Sequence, residues 1–286
     1  MKKYQIIRVF PRRTSYLPKD EMVFVGYPQL ERPQADEVHI SCTFTWDKPE
    51  AERLKMAWSQ YYPVVKLGGP AYDDPCTDNF IPGRYVRDGV VYTSHGCNNQ
   101  CPWCLVWKRE GGIRLDRIQQ GNVLQDNNIL QCSRPHIEGV FDMLSTQKGI
   151  VLAGGIEASR VEQWSADRIR GLRIKQIFLA CDTDGAIKPL RKALKLLSLP
   201  HNKVRCYVLL RYDPNETRMR ALIRLLEVYE AGAIPFAQLY QPAEGEVNHP
   251  VEWKRFGRTW QRPAGTEAFI KTILSANNDG AKQRVI

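Results

Sequence analysis

From residue 90 onward the chain alternates short, near-continuous apolar runs with longer segments of helical periodicity. That alternation restricts it to a parallel sheet joined by right-handed crossovers. Runs such as Ile150-Val151-Leu152-Ala153 and Ile177-Phe178-Leu179-Ala180 suit strands buried on both faces. The periodicity predicts strands at 90–94, 122–126, 149–153, 175–181, 203–210 and 234–240, with helices at 135–147, 161–171, 187–197 and 215–231. Six such units can make a partial barrel, whereas a closed eight-unit barrel needs more residues than remain. Upstream, 37–42 reads as a strand, 49–61 as a helix and 63–67 as a second strand closed by Gly68-Gly69-Pro70. A loop rich in Pro, Asp and Gly, about 70–89, follows this βαβ unit. The expected organisation is α/β: a small unit over 1–75, a partial (β/α)6 barrel over 90–245 and a C-terminal extension over 246–286.

The strand expected at 90–94 runs straight into His95-Gly96-Cys97-Asn98-Asn99-Gln100-Cys101-Pro102-Trp103-Cys104. Cubane iron–sulfur clusters are held by cysteine thiolates, normally one per iron. Cys97, Cys101 and Cys104 can therefore hold three irons and leave the fourth open to a small molecule. Two other readings compete. Cys101-Pro102-Trp103-Cys104 alone is a dithiol redox pattern, for which Cys97 would be superfluous. A zinc site is the stronger rival: His95 with Cys97, Cys101 and Cys104 makes a Cys3His set, although structural zinc ligands usually come as two separated pairs and no second pair exists here.

The C-x3-C-x2-C spacing resembles the signature of the radical S-adenosylmethionine (SAM) superfamily. The resemblance implies a [4Fe–4S] cluster on Cys97, Cys101 and Cys104, SAM chelated to the open iron, and reductive cleavage of SAM to a 5′-deoxyadenosyl radical. It also implies that Trp103, an aromatic just before the last cysteine, packs near the adenine. A one-electron donor of the flavodoxin or ferredoxin type would then be a partner. Over roughly 90–241 the order of features is similar to members carrying an N-terminal cobalamin-binding-like domain, so the leading unit reads as a degenerate, Rossmann-like relative of that domain. Two departures matter. The family's Gly-Gly-Glu run after the second strand is replaced by Asp126-Asn127-Asn128, with Gly154-Gly155-Ile156-Glu157 one strand later. The D-x-H-x-x-G pattern that supplies a cobalt ligand is missing, and His39 falls inside an expected strand, so cobalamin is not expected.

In such folds ligands bind at the carboxyl ends of strands. Asp126 and Asn127 follow the second strand and could receive an amine or carboxylate, although Asx turns use the same residues. Gly154 and Gly155 would let a backbone approach a ligand, and Glu157 could bind an amine or ribose. Asp182, after the fourth strand, could accept from ribose hydroxyls, and N-capping of the next helix would suit it equally well. Of the other cysteines, Cys42, Cys181 and Cys206 read as small hydrophobes, while Cys76 and Cys132 fall in expected loops.

Charge bears on partners. The 286 residues carry a formal net charge of +10, and residues 151–286 hold 22 Lys+Arg against 14 Asp+Glu. Near the C-terminus Lys254, Arg255, Arg258 and Arg262 interleave with Trp253, Phe256 and Trp260. That pattern suits either nucleic acid, bound by stacking and phosphate contacts, or a segment that packs across the barrel. The rival function is accordingly a non-catalytic zinc module that binds nucleic acid. The basic start at Met1-Lys2-Lys3 lacks a signal-like apolar core, and no run approaches the ~20 apolar residues of a membrane span. A soluble, cytoplasmic protein is expected.

Overall fold

In a computed structural model, which describes residues 4–74, 80–242 and 247–278, the chain is α/β with parallel sheets and forms two compact units. The first unit runs to residue 90. Its strands β1 (Ile6–Phe10), β2 (Val23–Val25), β3 (Glu37–Ser41) and β4 (Val65–Gly68) form one parallel sheet in the order β2-β1-β3-β4, with helix α1 (Lys48–Trp58) between β3 and β4. The first two strands were not expected from the sequence. In β1 Ile7, Val9 and Phe10 are buried while Arg8 is directed to Asp20, which interrupts the continuous apolar run that marked the later strands. Helix α1 presents Ala51, Leu54 and Trp58 to Ile7, Val9, Val38 and Ile40, the i, i+3, i+7 spacing of one helical face.

The second unit contains β5 (Val90–Val91), β6 (Ser94–His95), α2 (Val106–Arg109), β7 (Arg114–Leu115), β8 (Val123–Leu124), α3 (Arg134–Ser145), β9 (Ile150–Ile156), α4 (Gln163–Arg170), β10 (Ile174–Ala180), α5 (Ile187–Leu197), β11 (Val204–Leu210), α6 (Arg218–Glu230), β12 (Ile234–Leu239), α7 (Val251–Thr259) and α8 (Pro263–Asn278). Its main sheet has six strands in the order β12-β11-β10-β9-β8-β5, and those from β8 to β12 are mutually parallel. Local chemistry sets the helix ends: Thr217 accepts from the Arg220 amide to cap α6, and Glu162 with Ser165 makes a capping box on α4. Leu190, Ala193, Leu194 and Leu197 then form the buried stripe of α5.

Two expected elements differ in an informative way. The single strand expected at 90–94 is interrupted at Tyr92-Thr93, because the Asp126 carboxylate captures the Thr93 amide. The chain then turns so that β6 pairs antiparallel with β7. The third strand of the sheet does not stop at Ala153; β9 continues through Gly154-Gly155 to Ile156. A Cβ on Gly154 would overlap the Asp126 carbonyl, and one on Gly155 the Asn127 carbonyl, so these glycines admit a neighbouring strand's backbone rather than form a turn.

The C-terminal aromatics belong to the core of this unit. Trp253 is 5% exposed and Trp260 wholly buried, and edge-to-face contacts join Trp253, Phe256, Trp260 and Phe269. The choice between stacking and packing falls to packing for both tryptophans, while Arg255, Arg258 and Arg262 stay exposed. Trp260→Ala should cost ~3–5 kcal/mol in urea unfolding. The triple change of Arg255, Arg258 and Arg262 to Gln should stay within about 1 kcal/mol of wild type.

Candidate functional site

The cysteine loop leaves the sheet through the β6–β7 ribbon and is fastened residue by residue to the strand ends beside it. Asp126 is 1% exposed; its carboxylate accepts from the Thr93 amide (2.6 Å), the Thr93 hydroxyl (2.6 Å) and the Ser94 hydroxyl (2.7 Å). Burial still raises its pKa, because those donors only partly replace lost water. One residue on, Asn127 Oδ1 accepts from the Gly96 amide at 3.0 Å. Gly96 is held at φ +82, where any Cβ would overlap the Gly112 carbonyl, so the loop's entry requires glycine. Asn128 Nδ2 then donates weakly to Cys97 Sγ at 3.8 Å and strongly to Glu157 Oε2 at 2.7 Å. The three residues after β8 thus grip three successive parts of the cysteine loop.

Glu157, at the end of β9, gathers the remaining ties. Its carboxylate accepts from Asn128, Gln131, Asn99, Ser159 and Arg160 at 2.7–3.0 Å, while Gln131 Oε1 accepts from the Asn98 amide at 2.6 Å. Burial alone would raise the Glu157 pKa, but the donors of Ser159, Asn128, Gln131 and Asn99 outweigh it and hold the pKa near 2. Asp182, following β10, accepts from the Leu209 amide at 3.1 Å, and the Trp103 side chain lies close enough to favour its ionised form. Burial raises its pKa as well. Trp103 stands edge-on to Tyr212, which stands edge-on to Tyr240. Asp126, Asn127 and Glu157 therefore hold the Thr93–Asn99 part of the chain that carries Cys97, while Asp182 at the next strand end lies near Cys101 and Cys104. Gly154 and Gly155 contribute by letting the β8 end lie against β9.

The thiols lie in an environment that disfavours lone thiolates. Burial raises the pKa of Cys101, and the neighbouring Cys104, Cys97 and Asp182 add to it; burial likewise raises Cys104. A reactive dithiol requires a nearby cation or helix N-terminus to lower its pKa; the Val106 amide that opens α2 acts on Cys104 in this way, but burial outweighs it. A bound metal centre would supply that positive charge itself. Among the described residues no three His, Cys, Asp or Glu side chains group so as to hold a metal ion. His95, the fourth zinc ligand considered above, is buried, hydrogen-bonded through Nδ1 to Asp116 and stacked on Tyr92. In the first unit, His39 lies on β3 with its ring nitrogens on Tyr85 and Glu37. Cys132 is buried, and Cys76 lies outside the described residues.

Several site residues carry no mark in the sequence. Asn98, Asn99 and Gln131 read as ordinary loop polars, and Glu110, which accepts from the Gly96 amide at 3.1 Å, as a surface acid. Only the density of Asn and Gln around the cysteines, in Asn98-Asn99-Gln100 and Asn127-Asn128, signals a hydrogen-bonded loop.

Comparison with protein-family models and with curated protein sequences gives no match.

The depressed pKa of Glu157 fixes the sign of an acid effect. Because its folded value lies below the unfolded 4.5, its stabilisation is full above pH ~5 and is lost as pH falls from there toward 2. Discounted for its partial exposure, that stabilisation is roughly 2 kcal/mol. Glu157→Gln should therefore flatten the stability–pH curve over this range, read as the urea midpoint at successive pH values.

Proposed function

We propose that this protein is a radical SAM enzyme in which Cys97, Cys101 and Cys104 hold a [4Fe–4S] cluster and SAM occupies the open iron. The observation that carries the reading is the arrangement of the cysteine loop: three thiols on one loop, tied by Asp126, Asn127 and Asn128 after β8 and Glu157 after β9, with Asp182 after β10 near Cys101 and Cys104. The chemistry supplied by such a cluster with SAM is one-electron cleavage of the sulfonium, giving a 5′-deoxyadenosyl radical that takes a hydrogen atom from the substrate. Everything else falls to the chain.

The donor set suits that pairing. Asn128 Oδ1 is buried without a partner beside Cys97, and the ionised Glu157 is next to it. Together they form an electronegative corner suited to SAM's ammonium group. Asp182 and the Trp103 indole, close together, suit a ribose hydroxyl and the adenine face. Asp126 and Asn127, committed to the loop's own backbone, act by fixing the thiols rather than by touching SAM.

The strand order supports a partial barrel. Consecutive strands β8 to β12 are neighbours throughout, with no reversal of direction across the sheet. Right-handed crossovers in unbroken order place every helix on one face, which leaves the other as the inside of a curved sheet. On that inner side Phe178 stacks on Tyr207, and Tyr207 meets Phe236 edge-on, giving an aromatic row that is only partly buried. A reaction that generates a radical needs such a chamber to exclude water. The first unit's order, β2-β1-β3-β4, follows the start of the doubly wound 2-1-3-4-5 pattern, in keeping with a degenerate Rossmann-like domain.

The test is anaerobic reconstitution with iron and sulfide, followed by SAM and a strong reductant. Wild-type protein should turn brown and form 5′-deoxyadenosine. Cys97→Ala, Cys101→Ala and Cys104→Ala should each abolish the product, while Cys206→Ala, changed deep in β11, should keep its iron. A colourless protein holding stoichiometric zinc would refute the reading.

A further inference from the structure

We infer that Arg211 is an oxyanion-binding residue, holding a phosphate or carboxylate group of the substrate at the carboxyl end of β11. The inference rests on the radical SAM reading for calling that ligand the substrate. The backbone gives the first observation. Among the described residues three non-glycine residues have positive φ: Asp73, Ser198 and Arg211. Ser198 closes α5 and Asp73 closes a short 3-10 turn, positions where left-handed geometry is ordinary. Arg211, at φ +62, closes no helix; it follows a strand directly, at the end of the sheet that also carries Glu157 and Asp182.

Buried charge holds that conformation in place. Glu216 Oε2 accepts from the Arg211 amide at 2.6 Å, and Glu216 Oε1 accepts from Arg224 Nη2 at 2.6 Å. Arg224 Nη2 also donates to the Leu209 carbonyl at 2.7 Å. Both Glu216 and Arg224 are more than nine-tenths buried. A chain that needed only this turn would be served at no steric cost by glycine. Spending a buried ion pair to hold an arginine there ties the strain to the side chain, and strain of this kind clusters at ligand sites.

Among the described residues the guanidinium has no acid partner; Asp184 pairs instead with Arg224 and Arg220. Its guanidinium lies over the Trp253 ring at 5.2 Å, and its Nε is buried without an acceptor. Arg205, near the start of β11, shares an acceptor-less Nε and lies over Phe236, but its guanidinium donates to the Gln261 carbonyl, a structural task. Arg211 is followed by Tyr212, which meets Trp103 of the cysteine loop, so its place in the chain is beside the proposed SAM contacts. A planar guanidinium fork matches the two oxygens of a carboxylate or phosphate.

The full-length protein, without iron or SAM, is titrated with inorganic phosphate and separately with acetate, read by the fluorescence of Trp253 beneath the guanidinium. Wild type should bind one of them saturably; phosphate alone assigns a phosphorylated substrate, acetate alone a carboxylate. Arg211→Gly should weaken that binding at least tenfold while its Tm equals or exceeds wild type, since glycine relieves the strained φ. Arg211→Lys should fall between, keeping charge but losing the fork. Arg255→Gln, an exposed control, should bind as wild type. Failure of wild type to bind either anion, or unchanged binding by Arg211→Gly, overturns the inference. So does a lower Tm for Arg211→Gly, which would make the contact with Trp253 structural, or loss of SAM binding in that variant with anion binding intact. Because the titration needs neither iron nor SAM, it can succeed or fail whether or not 5′-deoxyadenosine is formed.

Discussion

A carboxylate removed from water must find donors within the protein, and Asp126 finds them in the residues where the chain leaves β5 for the cysteine loop. Its capture of the Thr93 amide breaks what would otherwise be one strand into β5 and β6. That break redirects the chain into the antiparallel ribbon with β7, and the ribbon sets where the three thiols begin. The same segment explains the double glycine of β9, because side chains at 154 or 155 would push away the Asp126 and Asn127 carbonyls. A short polar run after one strand and a small-residue pair inside the next are thus two halves of one packing requirement.

The electrostatics of this end of the sheet run against the chain as a whole. The protein carries ten excess positive charges, yet the groups tied to the cysteine loop are mainly carboxylates and neutral amides, with Arg160 paired to Glu157. Part of the excess, at Arg255, Arg258 and Arg262, points to solvent from the C-terminal segment. The outcome is a loop in which Cys101 and Cys104 are harder to ionise than free cysteine. Such a loop is poorly suited to disulfide exchange and well suited to a ligand that brings its own positive charge.

The α/β class, the strand–helix alternation after residue 90 and helix α5 were legible because periodicity reports burial directly; 187–197 matches α5 residue for residue. The leading sheet was half legible. β1 and β2 are only five and three residues long, and Arg8 interrupts β1, so neither carries the longer apolar run that marks the later strands. At the site, the cysteines and the strand-end residues Asp126, Glu157 and Asp182 were visible as types in expected places, but their tasks were not. Whether Asp126 faces a ligand or its own chain depends on a contact across 33 positions of sequence, which no local pattern encodes. Asn98, Asn99 and Gln131 were invisible for the same reason. The strain at Arg211 was equally hidden, because a residue's type does not disclose its φ.

The β6–β7 ribbon, with the ties from Asn127, Asn128 and Glu157, has a bearing on the order of assembly. In small metal-dependent domains the ligands are scattered until the ion arrives, so loading and folding are one event. Here the loop is closed at its base by two paired strands and held along its length by amides and carboxylates that belong to the sheet. Most of its entropy loss is met by protein contacts. On the proposed reading, cluster uptake would follow folding, as a late maturation step on a finished scaffold.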